Sequence, residues 1–195
     1  FDHYYSDSAL NEAIDILLKM NPKNILDIGG NTGRFSTNIL KVNSKIKITI
    51  VDLPEQIELA KSNIKSSNLE NQVDFFSANI LNQKISLPKN YDIIWMSQFL
   101  DCFCEDDIVK ILTKAKKSLS KNGKICIMEP IWDRQKFETS AYCIINTSPY
   151  FTALANGYSK MFNSADMTNY INKAGLNIVK QIDNIGICQS IVICK

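Results

Sequence analysis

Residues 24–35 read NILDIGGNTGRF, and residues 47–60 read KITIVDLPEQIELA. An apolar strand ends in Asp27, breaks at a turn holding Gly29, Gly30 and Gly33, and then enters a helical pattern. A second apolar strand ends in another acid, Asp52. Glycines let the backbone turn sharply and come close to a ligand, and the helix that follows offers free N–H groups at its start. An acid at the end of the second strand is placed to accept hydrogen bonds from a ribose diol. Together these features predict a nucleoside-binding α/β domain.

Outward from this turn, short apolar strands alternate with amphipathic helices. Helical spacing covers 9–20, where Ala13, Ile14, Leu17 and Leu18 share a face, and Asn21-Pro22 ends it. Strands are predicted at 25–28, 46–51, 73–77, 91–96 and 124–128, the last one entered through a turn at Asn122-Gly123. Helices are predicted at 34–42, at 54–66 with Pro54 in the first turn, and at 105–119. Such alternation means a parallel sheet covered on both faces. The tail departs from it. Ser164 reads as the N-cap of a helix over 165–173 that ends at Gly175, and two apolar runs follow, 177–182 and 187–193, joined by a short turn. That pattern predicts an antiparallel hairpin at the sheet edge.

The totals agree with one domain. The chain has 195 residues, 45% apolar and 22% charged, with a net charge of +2 and no basic block, which disfavours nucleic acid as the main partner. No apolar run reaches the ~18–20 residues that span a bilayer. With one histidine, His3, and six cysteines spaced unlike a zinc site, no metal is expected, and the thiols read as small buried hydrophobes in a reducing cytoplasm.

The dinucleotide fingerprint G-x-G-x-x-G fails here, because its first glycine would fall on Ile28. What stands in its place is D-x-G-G-x-x-G. A carboxylate at Asp27 suits a cationic amino-acid ligand better than a pyrophosphate.

At this point the chain resembles the class I S-adenosylmethionine-dependent methyltransferases, and more narrowly the small-molecule O-methyltransferases of plant phenolic and bacterial polyketide type. The resemblance rests on ILDIGGNTGRF, on VDLP with Asp52, on ANIL with Asn79, on SQFLDCFCEDDIVKIL, on GKICIMEP and on the closing Ala174-Gly175-Leu176. It implies a Rossmann-like, seven-stranded, mostly parallel sheet with one antiparallel strand near its edge and helices on both faces. Residues 1–195 would form the catalytic domain alone, without the family's N-terminal dimerisation domain; a full-length form would be a homodimer. The implied cofactor is S-adenosylmethionine, with S-adenosylhomocysteine as product, and the implied partner is a small-molecule methyl acceptor, with no nucleic acid or membrane.

By position, the resemblance implies that Asp27, Gly29, Gly30 and Gly33 pack against the methionine part of the cofactor. Asp52 would hold the ribose, Leu53 would lie against the adenine, and Asn79 with Ile80 would border the adenine amine. Ser97 and Gln98 would border the sulfonium, and Phe1 and Tyr5 would cover cofactor and acceptor. Simpler readings stand beside these: Asn79 caps a turn, Ser97 and Gln98 are ordinary loop residues, and the aromatic pair only packs.

The resemblance fails at the expected base. Asp101 occupies the position of the family's catalytic histidine, Glu129 matches one supporting acid, and the second supporting acid falls on Met161. A carboxylate with an ordinary pKa near 3.9 is poorly matched to a phenol near 10. Asp101 therefore reads either as a base adjusted by burial or as a cap for the helix beginning near Glu105. Trp132, Phe137, Tyr142, Tyr150, Phe151, Tyr158 and Phe162 would roof a flat acceptor or fill an inserted helix, and Arg134 could hold a substrate carboxylate. The alternatives are an amine acceptor and a degenerate protein that binds cofactor without turnover.

Overall fold

Strand β1 (Asn24–Ile28) shows how the sequence builds the sheet. Its residues point alternately to two sides, so Ile25 packs into one buried cluster and Leu26 and Ile28 into another. The computed structural model describes residues 2–154 and 157–195, with side chains from Ser8 onward.

The remaining elements follow in chain order. Helix α1 (Asp2–Leu18) precedes β1, and α2 (Arg34–Val42), β2 (Lys47–Asp52), α3 (Pro54–Ser66) and β3 (Val73–Ser77) follow it. Next come β4 (Tyr91–Ser97), α4 (Glu105–Lys116), β5 (Leu119–Pro130), α5 (Glu138–Leu154), α6 (Ser164–Lys173), β6 (Ile178–Ile185) and β7 (Gln189–Cys194). The sheet order is β3-β2-β1-β4-β5-β7-β6. All pairs from β3 to β5 are parallel, and β7 runs antiparallel to both β5 and β6. The mostly parallel seven-stranded sheet and its antiparallel strand are as expected.

Helices α1, α2 and α3 cover one face through Ala13, Leu17, Phe35, Ile39, Ile57 and Ile64, which are fully or almost fully buried against Ile48, Ile50, Trp95 and Met128. On the other face, α4 and α6 set Ile108, Ile111, Leu112, Tyr170 and Ile171 against Met96, Ile127 and Val192. Each such fully buried aliphatic chain contributes about 1.5–3 kcal/mol relative to exposure. Chain order reverses between β1 and β4, which opens a crevice at the carboxyl ends of these strands.

Several boundaries differ from the sequence reading for physical reasons. The first helix begins at Asp2, not near residue 9, because its opening turns carry no apolar period to announce them. The expected Asn122-Gly123 turn is absorbed into a twelve-residue β5. There a Cβ on Gly123 would lie 2.6 Å from the Tyr91 carbonyl oxygen, so the glycine serves a close strand approach. The α6 cap is Asn163 rather than Ser164; its Oδ1 accepts the Asp166 N–H at 2.7 Å. The last hairpin turns nearer Gly186, with β6 running on to Ile185.

Candidate active site

The turn after β1 is built by backbone rules. Gly29 has φ +74, a conformation L side chains rarely adopt, and its N–H donates to Val51 O at 2.9 Å. A Cβ there would fall 2.2 Å from the Phe99 ring. Gly30 passes over Asp27 so closely that a Cβ would meet Oδ2 at 2.8 Å. Gly33, at φ +75, begins α2 and sits between Ile50 and Ile64, away from the crevice lining.

Asp27 is 2% exposed, and the Ser36 hydroxyl donates to its Oδ2 at 2.8 Å. Loss of water pushes this carboxyl up to about 7, with Asp52 adding to the rise and the Ser36 bond opposing it. Asp52 closes the neighbouring loops: Oδ2 accepts the Asn31 N–H and Oδ1 the Leu53 N–H, each at 2.8 Å. Leu53 is 46% exposed. Asn79 is exposed and its Oδ1 accepts the Leu81 N–H at 2.9 Å, so it does make the turn-capping bond. Ile80 is buried in the α4-side core.

Asp27, Gly29, Gly30, Ser97 and Gln98 come together around a cavity of about 120 Å³ at the β1/β4 reversal. Leu10, Asn31, Thr32, Arg34, Phe35, Trp95 and Met128 complete its walls. Phe35 stacks on Trp95 with centroids 5.0 Å apart, giving an apolar back wall opposite the polar turn. A larger hollow of about 420 Å³ lies between α2 and α3, but its lining of Thr, Asn, Ser and Arg34 includes no carboxylate, imidazole or thiol. Of the residues expected to cover the site, Phe1 lies outside the described residues; Tyr5 belongs to α1, but its side chain lies outside them too.

The second group of expected residues stands on the other side of the Gly29 turn. Glu129 is 1% exposed near the end of β5, and its Oε1 accepts the N–H groups of Phe99 at 3.0 Å and Leu100 at 2.9 Å. Its Oε2 has no partner among the described residues. Burial, and then the charge of Asp101, hold the Glu129 carboxyl well above the usual carboxylate range against these backbone bonds. Asp101 lies in the 3-10 turn Leu100–Cys102; its backbone oxygen accepts the Lys160 N–H at 3.1 Å. The cap of α4 is Cys104, so Asp101 does not cap that helix.

Arg134 is engaged with Asp183 at 2.9 Å, which makes it a structural cation and not a waiting substrate ligand. Of the aromatic cluster, Phe162 is buried and Trp132 half-buried, while Phe137, Tyr142, Tyr150 and Tyr158 are exposed; the inserted helix weighed for this stretch is present as α5, but these four rings do not form its core. Among the described residues no three His, Cys, Asp or Glu side chains form a metal-holding group. No disulfide forms; Cys126, Cys188 and Cys194 are buried as expected, but Cys102 and Cys143 are exposed. Among the described residues no helix is long and apolar enough to cross a membrane.

Sequence reasoning missed Ser36, Phe99 and the Phe35–Trp95 stack. Ser36 had a faint signal, a small polar residue one turn into the helix after the glycines. Phe99 had none, because its partner Gly29 lies on a different strand end.

Residues 7–177 match the O-methyltransferase domain family. The chain is 22% identical over 160 residues to 3-hydroxy-5-methyl-1-naphthoate 3-O-methyltransferase of Streptomyces sahachiroi, covering 82% of this chain and 45% of the relative. It is 28% identical over 173 residues to desmethylxanthohumol 6'-O-methyltransferase of Humulus lupulus, covering 86% and 44%. The chain thus spans less than half the length of these two curated relatives. In fold it is similar to the S-adenosylmethionine-dependent methyltransferase SibL, with a TM-score of 0.85 at 21% identity, over 99% of this chain and 56% of that one.

Proposed function

The chain belongs to the O-methyltransferase domain family, and on that premise we propose that it transfers a methyl group from S-adenosylmethionine to a hydroxyl of a small aromatic or polyketide-like acceptor. The observation that carries this reading is the cavity at the β1/β4 reversal, where a buried carboxylate and an aromatic back wall meet. That donor set fits a cofactor with a cationic amino-acid end and an apolar thioether region. The buried carboxylate suits a cationic group better than a pyrophosphate, and Arg34 in the same lining suits the carboxylate of an amino-acid end. The enclosed volume holds only part of such a ligand, so the nucleoside end would lie in the open groove toward Asp52, Leu53 and Asn79.

When bound, S-adenosylmethionine supplies an electrophilic methyl group. The chain's own residues then have three tasks. The glycine turn and Asp52 hold the donor in one orientation, and positioning of this kind carries much of the rate in a displacement. Trp95, Phe35 and Met128 keep water from the donor side. Asp101, beside the buried Glu129, accepts the acceptor's hydroxyl proton at a carboxylate oxygen. Of the two acids it is the more exposed, and so the one able to meet an acceptor. Without an imidazole the reading favours acidic hydroxyls, for which a weak base suffices. A homodimeric full-length form and a cytoplasmic setting belong to the same proposal.

Calorimetry with S-adenosylmethionine and S-adenosylhomocysteine tests the donor, and product formation across a panel of phenols and amines tests the acceptor. Binding of both cofactors with methylation of phenols is the expected result. A folded chain that releases no binding heat with either cofactor would overturn the reading. Binding without turnover would favour a cofactor-binding protein, and preferential amine methylation would transfer the assignment to nitrogen. Asp101→Asn should lower kcat by about 10²-fold or more with unchanged cofactor affinity; unchanged kcat would remove Asp101 from the chemistry.

A further inference from the structure

Glu129 stands where a supporting acid for a catalytic base is expected, yet its observed partners are backbone groups. Its Oε1 receives the Phe99 and Leu100 N–H groups at 3.0 and 2.9 Å, and the Asp101 N–H adds a third interaction. The segment it holds is pinned at its other end as well. Gln98 adopts φ +46, and its N–H donates to Met128 O at 2.9 Å. Between these two anchors, Phe99 has little freedom to move.

The Phe99 ring in turn lies against Gly29, with Cδ2 at 2.2 Å and Cε2 at 2.8 Å from where a Cβ would be. Phe103 meets the same ring edge to face at 5.0 Å. Gly29 and Gln98 both line the cavity, whereas Phe99 packs against the core on the α4 side. The ring therefore backs the glycine turn from behind, and Glu129 sets where the ring sits.

We propose that Glu129 is a positioning residue for the methyl donor: through the Phe99 and Leu100 N–H groups it presses the Phe99 ring onto Gly29 and so shapes the cofactor turn from the opposite side of the sheet. This rests on the reading of the β1/β4 cavity as the cofactor site, and it gives Glu129 a task independent of any base. The carboxyl does this without charge. It is buried, its Oε2 meets no donor among the described residues, and an ionised oxygen there would be unsolvated. Glutamine, which keeps the accepting oxygen, is its closest mimic.

The test is S-adenosylhomocysteine affinity by calorimetry, with thermal melts alongside. Wild-type binding is established first; its absence overturns the functional reading and the donor-positioning role with it, whereas the variants below test that role alone. Given binding, Glu129→Gln keeps the dissociation constant within about threefold, while Glu129→Leu and Phe99→Ala each weaken it about tenfold or more. The double variant Glu129→Leu/Phe99→Ala is no weaker than the worse single, because both act through one ring. A merely structural Glu129 would lower the melting temperature of Glu129→Leu and leave the affinity of the folded protein intact, which would overturn the proposal. Multiplying effects in the double variant, or a tenfold loss in Glu129→Gln, would also overturn it. If Glu129→Leu does not fold, Phe99→Ala decides: unchanged affinity overturns the coupling and a tenfold loss supports it.

Discussion

The glycine turn after β1 and the stretch from Ile131 to Phe162 both follow the carboxyl end of a parallel strand, yet they are held in opposite ways. In the turn the polar groups close on one another: Gly29 N–H to Val51 O, Gly33 N–H to Gly30 O, Asn31 N–H to Asp52, Ser36 hydroxyl to Asp27. In the second stretch Ile131 and Phe162 are buried at the two ends, but between them several large side chains face outward, with Phe137 61%, Tyr142 68% and Tyr158 64% exposed. A donor site recognising one molecule can be built from backbone geometry, which tolerates almost no substitution. A surface presenting aromatics to a variable acceptor, or to further protein, is not specified by its own backbone.

The sharpest way to break this contrast is Gly29→Val. A β-branched side chain would need φ +74 and would overlap the Phe99 ring, so cofactor binding should fall about 100-fold or more. Calorimetry on folded protein checks this, and near-normal affinity would mean that the turn is not the donor site. Next in size, Asp52→Ala removes the acceptor of two N–H groups and the proposed ribose ligand. A loss of about 10–100-fold in cofactor affinity is expected, following the ~1.5–3 kcal/mol of hydrogen bonds to a charged group. An unaltered dissociation constant would confine Asp52 to loop closure.

Asp27 separates stability from binding. Its folded-state value near 7 lies above the ordinary 3.8, so the folded chain holds a proton that the unfolded chain releases. Its contribution to stability is therefore present at low pH and declines as pH rises from about 4 to about 7. Asp27→Asn should melt higher than wild type near pH 8, by of order 2–4 kcal/mol, with the two converging near pH 4. The same variant should bind cofactor about tenfold more weakly. A variant that melts lower at pH 8 would contradict the buried-carboxyl account. The smallest effect belongs to the other region: Tyr142→Ser should shift unfolding by less than about 0.5 kcal/mol, measured by thermal melt. A large loss would show that the exposed ring is packed in solution.

The same two regions explain which parts of the molecule were legible beforehand. Helices α2 and α3 fall on the residues that periodicity indicated, because one face of each is apolar and Gly33 or Pro54 stands at the start; β3 falls on its short apolar run. Helix α5 was legible only as one of two readings of the aromatic stretch, without bounds. Its apolar residues are spread around the helix and it carries Pro149 inside, so no single face announces it. The cap of α6 moved by one residue, since Asn163 and Ser164 are both good caps and only the local geometry chose between them. Arg134 looked available as a substrate ligand until the β6 strand brought Asp183 against it.

By itself the sequence determined the alternation of strands and helices, the glycine turn beside two acids, the antiparallel strand at the end and the resemblance to small-molecule methyltransferases. These depend on neighbours within a few residues, where side-chain period and backbone freedom act directly. Only the tertiary structure decided that Ser36 holds Asp27, that Phe99 backs Gly29, and that Glu129 grips a loop where a partner for a base was expected. The first crosses only the turn from β1 into α2, while the other two join segments that become neighbours through the order β1-β4-β5. Chain spacing carries no record of which ring will cross from one strand end to the next.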